Sequence, residues 1–149
     1  MFAIKEPEPY LYILMRSDLD SLNPGKMVAQ GAHAANQFVH ELEPAIAQVG
    51  DQGQNAPKVM QRHVALYRQW SSSTPQGFGV TITLDVTGAQ LPIIVDAAKL
   101  YFAAGVTHDP SYPLLDGAVL HLLPLDTCGY VFGDKSKLEA LLSHYKLLA

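Results

Sequence analysis

The chain has 149 residues, which favours one domain over residues 1–149 with a core of its own. Its hydrophobic fraction of 48% and charged fraction of 16% are those of an ordinary soluble globular protein, and neither a transmembrane run nor a signal peptide is predicted. The formal net charge of −4 argues against a protein that binds nucleic acid through bulk positive charge, although a local basic cleft stays possible. The single cysteine, Cys128, excludes an internal disulfide framework and suits a reducing cytoplasm.

The apolar spacing predicts strands and helices that alternate along the chain. The first half contains a strand at 10–15, helices at about 25–43 and 59–70, and a strand at 78–86. A helix follows at 91–104, with Gly105 as its C′ residue, and leads to a short strand at 106–108 and a loop at 108–113. The last elements are strands at 119–123 and 128–132, interrupted at 124–127, and a helix that opens at 133–136. Residues 44–77 form an irregular or helical insertion, in which 45–49 could extend the first helix beyond a kink at Pro44.

This order of elements favours an α/β fold. The continuous apolar run from Tyr10 to Met15 is typical of a strand covered on both faces. We therefore expect a three-layer α/β/α sandwich with a mixed, mostly parallel sheet of four to five strands.

Four polar side chains of the first predicted helix share one face: Lys26, Gln30, His33 and Gln37. At about 100° per residue, they point within roughly 60° of one another. The opposite face carries apolar or small residues, which are Val28, Gly31, Ala32, Ala35, Val39 and Leu42. We expect the helix to pack through that apolar face and to present the polar stripe on its other side.

Lys26 has an unusual position for a cation. Asn23 and Pro24 form a helix start signal, with Asn as N-cap and Pro at the first helical position. In the first turn, the helix dipole disfavours a cation by roughly 0.3–1 kcal/mol. Either the side chain extends into water, which the spacing alone favours, or Lys26 and the free N–H groups of that turn bind an anion such as phosphate.

The sequence lacks the known metal and nucleotide motifs. None of its histidines forms a His-x-x-x-His pair with a nearby Glu, and the Walker A, Gly-x-Gly-x-x-Gly and Gly-x-Ser-x-Gly patterns are absent. We therefore predict neither a metal site nor a cofactor. Cys128 precedes an apolar run, which indicates a buried strand thiol rather than a nucleophile.

Asp109 is the loop carboxylate best placed for chemistry. It follows a short predicted strand, where α/β proteins often carry functional residues. Asp109–Pro110 is also a common turn opener, and the sequence alone favours that interpretation. His108 could act as a base or fill a strand end, with the second interpretation favoured.

Two short motifs lie at the end of the first strand and the start of the first helix. They read Arg16-Ser17-Asp18-Leu19 and Gly25-Lys26-Met27-Val28-Ala29-Gln30-Gly31-Ala32-His33-Ala34. Together they resemble the type II peptidyl-tRNA hydrolase family, whose hallmark is Arg-x-Asp-Leu followed by Gly-Lys-x-x-Ala-Gln-x-x-His-Ala. The resemblance continues more loosely in the later elements and places Asp109 in the family's aspartate-bearing loop.

The resemblance implies hydrolysis of the ester that joins a peptide to the 3′ end of tRNA, with no metal or redox cofactor. Lys26 would contact the oxyanion or a phosphate, Asp109 would orient Lys26 or the water, and Gln30 and His33 would place substrate or water. The residues expected to bind substrate are Arg16, Gln37, Ser111 and Tyr112. The implied partners are the acceptor end of peptidyl-tRNA and a second copy in a homodimer, in the cytoplasm and without a membrane.

The loop after the aspartate departs from the family pattern. The family reads Asp-Ala-Gly-x-Thr-Gln/Glu, whereas this chain reads Asp109-Pro110-Ser111-Tyr112-Pro113-Leu114. Ser111 or Tyr112 would therefore have to supply the missing hydroxyl.

Two other functions remain compatible with the sequence. One is a catalytically inactive RNA- or protein-binding module on the same fold, and the other is a hydrolase of another acyl ester. Adjacent Lys26 and Asp109 would favour an enzyme, whereas wide separation, or Tyr112 filling the site, would favour the binding module. A basic surface beside the site would favour tRNA over a small ester.

Overall fold

A computed structural model describes residues 3–149, which fold around a four-stranded sheet. The elements are β1 (Pro9–Arg16), α1 (Pro24–Gln52), a 3₁₀ turn (Gly53–Asn55), α2 (Lys58–Ser71), β2 (Thr81–Val86), α3 (Gln90–Ala98), β3 (Ala103–Asp116), β4 (Val119–Asp134) and α4 (Lys135–Leu142). The strand order is β2-β1-β4-β3, in which β1 and β2 are parallel and the other two pairs are antiparallel. The mixed four-stranded α/β sheet is confirmed, but it is mostly antiparallel rather than mostly parallel, because β3 and β4 form a hairpin.

Helices cover both faces of this sheet. The side chains of β1 alternate between two hydrophobic clusters. Leu11, Ile13 and Met15 pack with α1 and α2. Tyr12 and Leu14 pack with α3 and α4. This double coverage explains the continuous apolar run of β1 and agrees with the predicted three layers.

The first helix does not end at Pro44 but continues to Gln52. The segment predicted to be irregular from residue 44 is therefore mostly helical, and the extension that the sequence left open is correct. Pro44 is tolerated because it is exposed, so water can reach the carbonyl oxygen of His40 that loses its N–H partner. Gly53, with a φ of 53°, ends the helix and donates its N–H to Val49.

The packing face of α1 differs from the prediction. Its buried residues recur every fourth position and are Gln30, Ala34, Phe38 and Leu42. Val28, on the face expected to pack, is 75% exposed. Phe38 decides this orientation, because its ring is fully buried against the rings of Trp70 and Phe132. The polar stripe flanks this buried line, so several of its members contact the sheet, and the prediction of an outward-facing stripe is wrong.

The third helix is shorter than predicted. It ends at Ala98, and β3 begins at Ala103. Leu100 and Tyr101 are exposed, so they do not prolong the buried helical stripe. Gly105 is not a C′ residue but lies within β3, where an added Cβ would come within 2.8 Å of the Tyr130 ring.

A long hairpin replaces several short predicted elements. β3 continues without a break to Asp116, and β4 continues without a break from Val119. Gly117 lies in the turn between them, and its φ of 58° is one that glycine adopts readily. The loop predicted at 108–113 and the interruption at 124–127 are both wrong, because two shifts of register between β3 and β4 accommodate these residues as bulges within the strands. The outer part of the hairpin exposes apolar side chains, namely Leu115, Val119, Leu120, Leu122 and Leu123.

Two of the remaining elements agree closely with the sequence and one is shorter. α2 and the start of α4 lie where they were predicted, whereas β2 ends at Val86 as predicted but begins at Thr81 rather than at residue 78. Cys128 is a buried free thiol that donates to the carbonyl oxygen of Gln30 at 3.2 Å. Burial raises the pKa of this thiol, which suits a structural side chain rather than a nucleophile. Within residues 3–149, no helix combines the length and apolarity needed to cross a bilayer.

Candidate active site

Oxygen atoms of the main chain hold Lys26 at the start of α1. The side chain of Asn23 caps the helix by accepting the N–H of Lys26 at 2.9 Å, as predicted. The Lys26 ammonium donates to the carbonyl oxygens of Ser21 at 3.1 Å and Pro113 at 2.7 Å. It also lies 5.0 Å from the centroid of the Tyr112 ring, within range of a cation–π interaction. Two of its three N–H groups are therefore used, and the third can donate to an oxygen of a bound anion.

One helical turn further along, Gln30 connects α1 to both strands of the hairpin. It is 3% exposed, and its Nε2 donates to Oδ2 of Asp109 at 2.6 Å. Its Oε1 accepts the hydroxyl of Thr127 at 2.5 Å. The N–H of Ser111 donates to Oδ1 of Asp109 at 2.9 Å. Each oxygen of the Asp109 carboxylate thus has a donor that fixes its orientation.

The same donors determine the charge of Asp109. Burial by itself would raise the pKa of this carboxyl group. The hydrogen bonds from Gln30 and Ser111, together with the neighbouring imidazoles of His33 and His108, outweigh burial and lower the pKa below its usual value. Asp109 is therefore an anion at neutral pH.

We expect Asp109 to stabilise the fold at neutral pH and to lose this effect in acid. Its folded pKa lies below that of the unfolded chain, so the stabilisation is complete above the unfolded value of about 3.9 and disappears as the pH falls through the lower folded value. Thermal unfolding measured between about pH 7 and about pH 3 tests this expectation. At about pH 7 the Tm of Asp109→Asn should be lower than that of the wild type, and the difference should disappear as the pH is lowered to about 3. A Tm difference that stays constant over this range would contradict the expectation.

Two clefts meet at His108. The first has a volume of about 360 Å³ and is lined by His33, Thr107, His108, Asp109, Pro110 and Ser111. The second has a volume of about 450 Å³, and its walls include Arg16, Asp18, Gly88, His108 and Asp126. Lys26 lies one helical turn before Gln30 but lines neither cleft, and among the described residues it forms no ion pair with Asp109.

Arg16 and Gln37 were both expected to bind substrate, but their side chains form hydrogen bonds with other residues of the protein. Arg16 donates through Nε and one terminal nitrogen to Asp18, and through the other to the carbonyl oxygen of Asp126 at 3.0 Å. This pairing lowers the pKa of Asp18, chiefly through the hydrogen bond from Arg16. Gln37 accepts the hydroxyl of Thr107 at 2.7 Å and donates to the carbonyl oxygen of Val106 at 2.9 Å. The first residue connects β1 to β4, and the second connects α1 to β3.

Tyr112 and Ser111 differ in their access to solvent. Tyr112 is 1% exposed, and its hydroxyl lies 3.0 Å from that of Ser21. It packs against Lys26 and does not line the first cleft, so the cleft beside Asp109 stays open. Ser111 is exposed at the cleft wall.

Comparison with known protein families identifies the chain. A family model described as peptidyl-tRNA hydrolase PTH2 matches residues 10–90, more than half of the sequence. The chain belongs to this family. The matched residues run from β1 to the start of α3, so they contain the Lys26 helix but neither strand of the hairpin that carries Asp109. A search of curated proteins finds no match.

The site of this PTH2-family chain includes two polar residues of β4 that the sequence analysis missed. Thr127 is fully buried against Gln30, and Asp126 Oδ1 lies 2.8 Å from His108 Nδ1. Both occur where the sequence predicts a break between strands, so they were interpreted as loop residues. The prediction of His108 as a strand-end filler is also wrong, because its side chain is 56% exposed. Among residues 3–149, no group of three or more His, Cys, Asp or Glu side chains could hold a metal ion.

Proposed function

We propose that the protein hydrolyses the ester bond between a peptide, or an N-blocked amino acid, and the 3′ end of tRNA. One observation carries this proposal. On a helix matched by the PTH2 family, a lysine with a spare N–H lies one turn from a glutamine that holds an ionised aspartate at a cleft. An ester hydrolase needs a donor for the developing oxyanion and a group that positions water, and these residues could supply both.

The contacts suggest how the roles divide. Lys26 has a spare N–H for the oxyanion or for a phosphate of the substrate. Asp109 does not contact Lys26, so we assign it to orienting water rather than the lysine. Gln30 holds the carboxylate in place, and His33 lines the same cleft, where it can contact substrate.

The residues expected to bind substrate divide into two groups. Ser111 lines the Asp109 cleft, and we propose its hydroxyl as the substitute for the threonine of the family pattern. Arg16, Gln37 and Tyr112 use their polar atoms within the protein, and we propose that they shape the site by holding its strands and Lys26 in place.

Peptide release from N-acetyl-aminoacyl-tRNA tests this function, with binding of the same tRNA measured in parallel. Turnover of the tRNA ester, with little turnover of an N-acetyl-amino acid ethyl ester, would support the proposal. Tight tRNA binding without turnover would instead identify a binding module, the alternative that agrees with the absence of an ion pair between Lys26 and Asp109 in the described part of the chain. Preferential turnover of the ethyl ester would identify a hydrolase of another acyl ester.

The reaction should weaken as salt increases. Binding the acceptor end needs phosphate contacts, although the net charge of −4 limits them to a few local cations. With about two such contacts, a fourfold increase in salt should reduce kcat/KM roughly tenfold. A kcat/KM that does not change with salt would argue against tRNA as the substrate.

The proposal includes the setting of the reaction. Recycling of peptidyl-tRNA belongs to translation, so we place the protein in the cytoplasm. The family resemblance implies a homodimer, and sedimentation equilibrium of the purified chain would determine whether it forms.

A further inference from the structure

His108 and Asp126 form a pair across the β3–β4 hairpin that the proposed chemistry does not yet use. The two residues face each other in the strand register, directly after a shift between Thr107 and His108. Nδ1 of His108 lies 2.8 Å from Oδ1 of Asp126. Both side chains are more than half exposed, so this pair is not a packing element of the core.

Arg16 holds the main chain of Asp126 in place. One terminal nitrogen of Arg16 donates to the Asp126 carbonyl oxygen, while its Nε and its other terminal nitrogen donate to Asp18. A carboxylate that accepts the Nδ1–H of an imidazole selects the tautomer with a lone pair on Nε2. The arrangement therefore orients the His108 ring and leaves Nε2 free to accept a proton.

His108 lines both clefts and directly precedes Asp109 in β3, so it borders the cleft that contains this carboxylate. The charged or titratable groups that share its surroundings are His33 from α1, Arg16 from β1, Asp18 from the following loop, Asp109 from β3 and Asp126 from β4. His33 lies in the first cleft as well, but no hydrogen bond joins its ring to a carboxylate among the described residues.

We propose that His108, oriented by Asp126, is the general base of the ester hydrolysis, an inference that rests on the proposed function. Nε2 takes a proton from water while the water oxygen bonds to the ester carbon and forms a tetrahedral oxyanion. The oxyanion then collapses, the bond from carbon to the 3′ oxygen breaks, and the imidazolium returns its proton to that oxygen. The products are a free 3′ hydroxyl and a carboxylic acid, which loses its proton to solvent.

This assignment also clarifies the role of Asp109. Both of its oxygens already accept hydrogen bonds, and those bonds favour its ionised form. Such a carboxylate is a weak proton acceptor at neutral pH, whereas a neutral imidazole is suited to that task. Asp109 then orients water or substrate while His108 takes the proton.

Four variants test the inference through kcat, KM and their dependence on pH: His108→Gln, Asp126→Asn, His33→Gln and His121→Gln. His121 is the matched control, because it lies on the same hairpin 3.9 Å from Asp116 and lines neither cleft. Circular dichroism and Tm establish that each variant is folded.

The wild-type kcat/KM should fall as the pH is lowered from about 8 to about 5, because a protonated imidazole cannot accept a proton. His108→Gln should lower kcat about 100-fold, change KM little and abolish this fall. Asp126→Asn should lower kcat on the order of tenfold, because an exposed carboxylate orients the ring less rigidly than a buried one. In His33→Gln, kcat/KM should still fall as the pH is lowered, even if kcat itself changes. His121→Gln should match the wild type in kcat, KM and pH dependence.

Wild-type kcat in folded His108→Gln, or loss of the pH dependence in His33→Gln instead, would overturn the inference and leave the proposed hydrolase intact. An inactive wild type would overturn both proposals. The two failures are therefore distinguishable in one set of measurements.

Discussion

Lys26→Met is expected to reduce kcat/KM for N-acetyl-aminoacyl-tRNA by roughly 100- to 1,000-fold, the usual effect of removing an oxyanion donor. The ammonium is fixed by the carbonyl oxygens of Ser21 and Pro113, so its remaining N–H has a defined direction. Methionine has a similar length but cannot donate. Two carbonyl oxygens lose their partner, so we also expect a loss of about 1–2 kcal/mol in the free energy of unfolding, and the assay should be run well below the Tm of the variant.

Two further lysine variants separate this role from simple charge. Lys26→Arg keeps the charge, but its planar guanidinium cannot reproduce the compact contacts with two carbonyl oxygens and the Tyr112 ring, so we expect little recovery of activity. Lys58→Met removes the same charge from an exposed position at the start of α2 and should leave kcat unchanged. If Lys26→Met retains wild-type kcat/KM, the proposed chemistry is wrong.

Gln30→Leu is expected to lower both stability and activity. Leucine fills the buried space but leaves the Thr127 hydroxyl without its acceptor and Asp109 Oδ2 without its donor, at a cost of about 2–4 kcal/mol in the free energy of unfolding. Because the Gln30 hydrogen bond helps to lower the pKa of Asp109, its loss should raise that pKa. A less rigid carboxylate should also reduce kcat about 100-fold in the folded variant.

Denaturant unfolding and the peptide-release assay measure these two effects separately. Gln48→Leu is the matched control, because Gln48 lies on the same helix and its amide bonds only Gln52 at the surface. That control should change the free energy of unfolding by less than about 0.5 kcal/mol and should leave kcat unaltered. A Gln30→Leu protein that is as stable and as active as the control would show that the bridge between α1 and the hairpin has no functional role.

The start of α1 is the part of the site that the sequence predicts well. The N-cap at Asn23, the proline at the first helical position and the lysine in the first turn all depend on residues a few positions apart. The motif that includes Gln30 and His33 is equally local, and its spacing alone places these residues on one side of a helix. Such features can be predicted from the sequence because they depend on interactions between residues within one or two helical turns of each other.

The direction in which that helix faces depends on distant residues. Local amphipathicity suggests that the face with Val28 packs, but the aromatic cluster around Phe38 needs Trp70 and Phe132, which are far away in the chain. The cluster turns the polar stripe towards β3, where Lys26 meets a carbonyl oxygen and Gln30 meets a carboxylate. Burial of large aromatic rings outweighs the small gain from burying valine and alanine.

The hairpin that completes the site also depends on long-range pairing. Prolines and polar residues at 108–113 and 124–127 resemble loops when each segment is considered alone, and only their mutual pairing makes them bulged strands. That pairing aligns His108 with Asp126, and it brings Thr127 to Gln30 although 97 residues separate them. Residue spacing was therefore enough to predict the family and the first turn of α1. The orientation of that helix and the partners of its side chains were decided by tertiary structure, because burial and strand pairing join residues that are distant in the chain.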